Sequence, residues 1–263
     1  MTDDKLYGLH PVLEALQEER RQIRRVFIST HRRGAEVQRI IALAERRGIP
    51  VAMVERPQLH QLLGHSAHQG VVALTEPHAY QPWTAVMAHV TAVPGPHTLL
   101  CLDSVTDVGN FAALIRSAAA FGVYAIVLPR HAAVPLTPAV AKRSAGAIER
   151  IAIVRVGNLV RALDALKQHG FWVYGAEMQA PLTVARMAWP ERVVLVLGAE
   201  QGGMRRLVRE RCDGLVRIPM HTGMNSLNVA TAGAVILAYR WDHCVTSYGQ
   251  REVGESVTKP ICR

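Results

Sequence analysis

The sequence predicts an α/β protein, with a mostly parallel sheet flanked by helices and a small α/β module ahead of it. Three observations predict it. From about residue 97 onward, short apolar runs alternate with stretches of helical periodicity, the succession expected of βα units. The runs are apolar almost throughout, as strands buried on both faces must be. Three of them lead into polar turns, and in open parallel sheets ligands bind beyond the strand C-termini.

The elements follow in order. Residues 1–77 read as the small module: Pro11 to Arg20 is amphipathic, Arg25 to Ser29 a strand, Ala35 to Arg47 a helix and Pro50 to Val54 a strand. Residues 78–96 are punctuated by Pro82, Pro94, Gly95 and Pro96 around a short helical piece, Trp83 to His89, and read as the linker. The second domain, 97–244, then has strands at Thr98 to Leu102, Ala125 to Leu128, Ile151 to Val156, Trp172 to Gly175, Val193 to Leu197 and Gly214 to Ile218. Its helices are Phe111 to Phe121, Pro138 to Ala145, Leu159 to His169, Met204 to Glu210 and Asn228 to Arg240. Residues 245–263 form a polar tail without periodicity.

Composition narrows the function classes. With 49% hydrophobic and 19% charged residues, the 263-residue chain is globular, and no apolar run nears the roughly 20 residues that cross a bilayer. An acidic start, Met-Thr-Asp-Asp, lacks the character of an export signal, so a cytoplasmic protein without membrane contact is expected. Cys101, Cys212, Cys244 and Cys262 form no Cys-x-x-Cys pair, and His60, His65 and His68 match no familiar ligand spacing, so no metal is implied. The net charge of +9 is mostly arginine and points to a polyanion such as RNA. Arg24, Arg25, Arg32 and Arg33, around the first strand of the module, are candidates for phosphate contact. Glu14, Glu18, Glu19 and Glu36 lie close in sequence and temper that charge.

The three turns carry the chemistry. The first runs Leu102-Asp-Ser-Val-Thr-Asp-Val-Gly-Asn110, where Asn110 is suited to cap a helix that Gly122 ends. On that helix Arg116 points away from the apolar face of Phe111, Leu114, Ile115 and Ala118. Such an arginine is ordinarily solvated, but small neighbours leave room around it. The second turn, Leu197-Gly-Ala-Glu-Gln-Gly-Gly-Met204, allows close backbone approach to a ligand, and Arg205 follows it. It has neither a P-loop nor a dinucleotide fingerprint. The third begins at Ile218 and places Ser226 and Asn228 ahead of a helix slimmed by Ala230, Gly233 and Ala234.

Together and in this order, the turns resemble the motifs of the SpoU/TrmH family of RNA ribose 2'-O-methyltransferases. Tyr7-Gly-Leu-His10 and His68-Gln-Gly70 are similar to the start and end of that family's N-terminal substrate-binding domain. The resemblance implies a knotted, SPOUT-type α/β domain that dimerises, with S-adenosylmethionine held on Leu197, Gly198, Glu200, Gly202, Ile218, Met220, Ser226 and Leu227. It implies a catalytic set of Arg116, Asn110, Ser226 and Asn228, with Glu200 shaping the cofactor loop. Arg205 joins the arginines expected to meet RNA, most simply 23S rRNA at a guanosine; a tRNA or another rRNA site is the alternative. A non-catalytic RNA-binding assembly factor on the same fold is the rival from another class.

Two positions depart from the family pattern, Val108 in place of proline and Ala112 in place of glycine. If the latter required positive φ, the turn carrying Asn110 would shift. The chemistry also bears on Arg116. Arginine side chains are protonated in neutral water, and making one neutral costs about 7 kcal/mol. Alignment of the hydroxyl and stabilisation of developing alkoxide charge is therefore the role expected, with base catalysis as the alternative.

Overall fold

A computed structural model describes residues 3–221 and 226–247. The chain forms two compact units, and their boundaries differ from those expected. One comprises the residues up to Ala79 together with Pro135–Arg150; the other runs from Tyr80 to Val134 and resumes at Ile151.

The first unit is built on β1 (Asp4–Tyr7), β2 (Ile23–Ser29), β3 (Val51–Val54) and β4 (Val71–Thr75), in the order β1-β4-β2-β3. The β2/β3 pair is parallel, and β4 runs antiparallel to both β1 and β2. Helix α1 (Leu9–Glu18) buries Leu9, Val12, Leu13 and Leu16, and α2 (Ala35–Arg46) buries Val37, Ile40 and Ala44, both at helical spacing. Helix α3 (Arg56–Leu63) starts with a capping box between Glu55 and Gln58. β1, β4 and α3 were not foreseen. The Pro135–Arg150 excursion contributes α6 (Pro138–Arg143) and a 3₁₀ turn at Ala147–Glu149. Its Glu149 is fully buried and pairs with the buried Arg21 at 2.8 Å, while Arg21 also donates to Thr75 Oγ1 at 3.3 Å.

The second unit contains β5 (His97–Asp103), β6 (Ala125–Pro129), β7 (Ala152–Val156), β8 (Trp172–Ala176), β9 (Leu182–Thr183), β10 (Arg192–Gly198) and β11 (Gly214–Arg217). They form one sheet, β7-β6-β5-β10-β8-β11-β9, in which every pair is parallel. β5 is buried along its whole length because both faces are covered. Leu99, Cys101, Val194 and Val196 share a core with Val86 and Val90 of α4 (Trp83–Ala92) and Leu163 and Leu166 of α7 (Leu159–Gln168). Thus 78–96, expected as a linker, holds a helix whose apolar side belongs to this core.

On the opposite face lie α5 (Val108–Ala120) and α9 (Val229–Ser247). A Cβ on Gly233 of α9 would stand 2.5 Å from Leu114 Cδ2 and 2.7 Å from Leu197 Cδ1, so glycine sets how closely α9 approaches α5 and β10. Helix α8 (Arg206–Arg209) is one turn long, shorter than expected. Four residues of the third turn, 222–225, and the tail beyond Ser247, including Cys262, lie outside the described residues. None of the described helices is long and apolar enough to cross a membrane.

Candidate active site

Strand order explains why distant segments meet. β5 and β10 are neighbours with Asp103 level with Gly198, so the first and second turns leave the sheet side by side. β8 separates β10 from β11, which brings the end of β8 between the second and third turns.

The N-cap of α5 is Asp107, whose Oδ1 accepts from Asn110 N at 2.7 Å. Asn110 is therefore not the cap, as a helix cap bonds the amide three residues ahead. Its side chain instead donates from Nδ2 to Glu200 Oε1 at 2.5 Å. Asn228 Nδ2 donates to Asn110 Oδ1 and to Glu200 Oε1, both at 2.8 Å. One residue from each turn thus joins a single junction. Asn228 Oδ1 meanwhile accepts from Ala230 N at 2.9 Å and Thr231 N at 3.3 Å, which starts α9. Val108 is the first residue of α5, where proline is well tolerated, and Ala112 is buried inside the helix without positive φ. Neither departure strains the turn.

A second tie uses Asp103, which is fully buried. Its Oδ2 accepts from Arg205 N and its Oδ1 from Arg205 Nε, each at 2.7 Å, and this anchors the second turn to the end of β5. Within that turn Ala199 and Gly203 exchange backbone hydrogen bonds at 3.1 Å. A Cβ on Gly198 would fall 2.2 Å from the backbone of Gly203 and Met204, so this position needs glycine for room rather than for torsion.

Beside the junction opens a cavity of about 530 Å³. Leu197, Gly198, Glu200, Gly202, Ile218, Met220, Ser226 and Leu227 all line it, and Glu200 belongs to both cavity and junction. The walls also include Arg209 of α8, together with Glu177 and Met178 after β8, which no motif in the sequence marked. The rule that ligands gather beyond strand C-termini, applied to β8 as well, would have found them. Arg209 binds Glu177 through two hydrogen bonds, 2.6 and 3.0 Å, and this holds the Glu177 carboxyl below the usual carboxylate range.

Arg116 lies apart from this set. It is exposed on α5, six residues beyond Asn110, which is about 9 Å along the helix axis and about 120° around it. Among the described residues it makes no hydrogen bond or ion pair, and it does not line the cavity. The arginines of the first unit are also divided. Arg24, paired with Asp3 at 2.9 Å, and Arg25, 6.0 Å from the Phe27 ring, stand at the start of β2; Arg32 and Arg33 follow its end. Arg205 keeps an exposed guanidinium although its Nε is engaged.

Family models place the chain. Residues 97–238 match the SpoU rRNA Methylase family, and residues 5–81 match a region described as RNA 2'-O ribose methyltransferase substrate binding. The chain is 37% identical over 236 residues to the 23S rRNA (guanosine-2'-O-)-methyltransferase RlmB of Pseudomonas syringae pv. tomato, covering 89% of this chain and 93% of that protein. The enzyme of the same name from Pseudomonas aeruginosa is 38% identical over 89% of this chain and 94% of its own length. The fold is similar to that of the SpoU methyltransferase AviRb from Streptomyces viridochromogenes, solved in complex with the cofactor AdoMet, with a TM-score of 0.76 at 21% identity over 93% of this chain and 92% of that one. By the family model and by these relatives, the chain belongs to the SpoU rRNA methylase family.

Proposed function

We propose that this protein methylates the ribose 2'-hydroxyl of a guanosine in 23S rRNA, using S-adenosylmethionine. The observation that carries the reading is the Asn110–Glu200–Asn228 junction, where one residue from each of three distant segments meets at the edge of the cavity that Glu200 lines. The named relatives, matched over most of their length, support the substrate.

The cavity suits the cofactor. Its volume of about 530 Å³ falls in the range of small-molecule sites, and its walls combine apolar side chains with a few polar groups. Gly198 keeps the second turn thin enough for backbone to reach a ligand. Bound there, S-adenosylmethionine supplies an electrophilic methyl group. Glu200 accepts from both asparagines and thereby orients them, so the polar wall is set before RNA arrives. In this reading Arg116 contributes charge although it lies outside the cavity of its own chain: its guanidinium, unengaged among the described residues, aligns the hydroxyl of the bound RNA with a neighbouring phosphate and stabilises the oxygen as it loses its proton. The same reading carries a knotted path in the second unit, a cytoplasmic location, and pairing of two chains through the exposed Tyr239, Trp241 and Val245 of α9.

Mapping 2'-O-methylation across rRNA and tRNA from cells with and without the protein tests the proposal. One guanosine of 23S rRNA losing its methyl group in the deletion is expected. A tRNA site lost instead would change the substrate, and an unchanged map with intact cofactor binding would leave only an assembly factor. In single-turnover assays Arg116→Ala is expected to slow methyl transfer by about 10²-fold or more, with Arg116→Lys intermediate; near-normal rates would remove Arg116 from the site.

A further inference from the structure

We propose a second RNA contact, a phosphodiester-binding depression on the first unit between α3 and the His68–Gly70 turn. The inference rests on the reading of this protein as an RNA methyltransferase and names a place where its substrate is gripped. The depression, about 450 Å³, is lined by Arg56, Pro57, His60, Gln61 and His68. His68 is 1% exposed, and its Nδ1 accepts from Gly70 N at 3.0 Å. The proton of the neutral ring therefore sits on Nε2, which is buried and has no hydrogen-bond partner among the described residues. An unpaired buried N–H is destabilising, and an oxygen acceptor relieves it.

The surroundings select an anionic acceptor. Arg56 and His60 stand at the depression, and with His65 they lie close enough to oppose protonation of His68, whose pKa burial already lowers. His68 is thereby kept a neutral donor while Arg56 supplies the charge. The capping box at Glu55 fixes where α3 begins, and the Glu55 carboxylate is occupied by Thr30 at 2.8 Å and His31 at 3.3 Å rather than by Arg56. Among the described residues no three His, Cys, Asp or Glu side chains are grouped as a metal site would need. Because Nε2 is covered, entry of a phosphate oxygen requires rearrangement in the lining, of which Arg56, Pro57, His60 and Gln61 are the exposed members. Phosphate held this way belongs to a polynucleotide, since the matched family region is one for RNA substrate binding.

The test measures binding of the full chain to unmodified 23S rRNA transcript across a salt series, alongside guanosine monophosphate and inorganic phosphate. Arg56→Gln is expected to weaken rRNA binding three- to tenfold and to lower the slope of log affinity against log salt by about 0.7–0.9, one phosphate contact. Arg46→Gln, an equal loss of charge on exposed α2, controls for general attraction. His68→Gln, which keeps an amide donor, is expected to bind better than His68→Phe. A loss for Arg56→Gln no larger than for Arg46→Gln, while wild type binds and methylates rRNA, would overturn the inference and spare the functional reading. Displacement of rRNA by millimolar free phosphate alone would also overturn it, by making the site one for small anions. Wild type that binds cofactor but not rRNA would instead defeat the functional reading, and the depression with it.

Discussion

Asn228 uses its two polar atoms for different tasks, and this separates the polar junction from the helix start at one residue. Its Oδ1 caps α9, and its Nδ2 ties together Asn110 and Glu200. Asn228→Asp keeps the capping oxygen but sets a carboxylate against Glu200, so it is expected to slow methyl transfer by about 10²-fold through misplacement of the polar wall. Its melting temperature should stay near wild type. A comparable loss of stability and rate would mean that the junction serves the fold alone. Gly198 is the opposite case, since only space is at stake. Gly198→Ala pushes a methyl group into the backbone of Gly203, a contact that no rotamer relieves, and at least about a tenfold loss of cofactor affinity by calorimetry is expected, about 1.4 kcal/mol. Asn110, Ser226 and Asn228 were legible as polar residues at turns. That Asn110 bonds Glu200 rather than capping α5 was not, because Asp107 three residues earlier is an equally good cap and only the path of the backbone selects it.

At the scale of elements, the periodic segments were legible and the short ones were not. α5, α7 and α9 carry apolar faces long enough to show a period, whereas β1 is four residues long and β9 two. The 3₁₀ turn at Ala147–Glu149 had no signal of its own, yet it brings a buried carboxylate to Arg21 and a carbonyl to His78. His78 Nε2 stands 3.1 Å from Ile148 O, and burial, helped by the Arg21 charge, lowers the His78 pKa to about 4. The unfolded chain, with a histidine near 6.5, binds more protons between those values. Stability is therefore present above pH 6.5 and is lost as pH falls toward 4, by about 3 kcal/mol. Glu149, raised by burial that outweighs Arg21, contributes with the opposite sign in both wild type and a His78 variant. His78→Gln, which retains a donor for Ile148, should show a flatter decline of stability from pH 7 to pH 4 in urea titrations. An unchanged slope would show that His78 titrates normally.

At the scale of the whole molecule, the two family regions follow one another along the chain but the two compact units do not. Pro135–Arg150 lies within the region matched as methylase and folds with the first unit. There Lys142 bonds Gln69, Glu14 takes the Arg150 guanidinium at 2.6 and 3.0 Å, and Glu149 neutralises buried Arg21. A fragment of residues 1–79 lacks these partners and leaves a buried cation unpaired, which costs about 3–5 kcal/mol. It is expected to be largely unfolded by circular dichroism, and joining 135–150 to it through a short flexible linker should restore a cooperative transition. A stable 1–79 fragment would mean that the excursion is an accessory.

By itself the amino-acid sequence determined the class of fold, the succession of the longer strands and helices, and the positions of the three polar turns, because burial on both faces and helical period are local properties of the chain. Tertiary structure alone decided that β10 lies between β5 and β8, that residues 135–150 join the N-terminal unit, and that the end of β8 supplies Glu177 to the cavity. Those outcomes depend on which surfaces meet across long separations in sequence. No residue type or spacing encodes that choice locally, since it is settled only when the whole core packs.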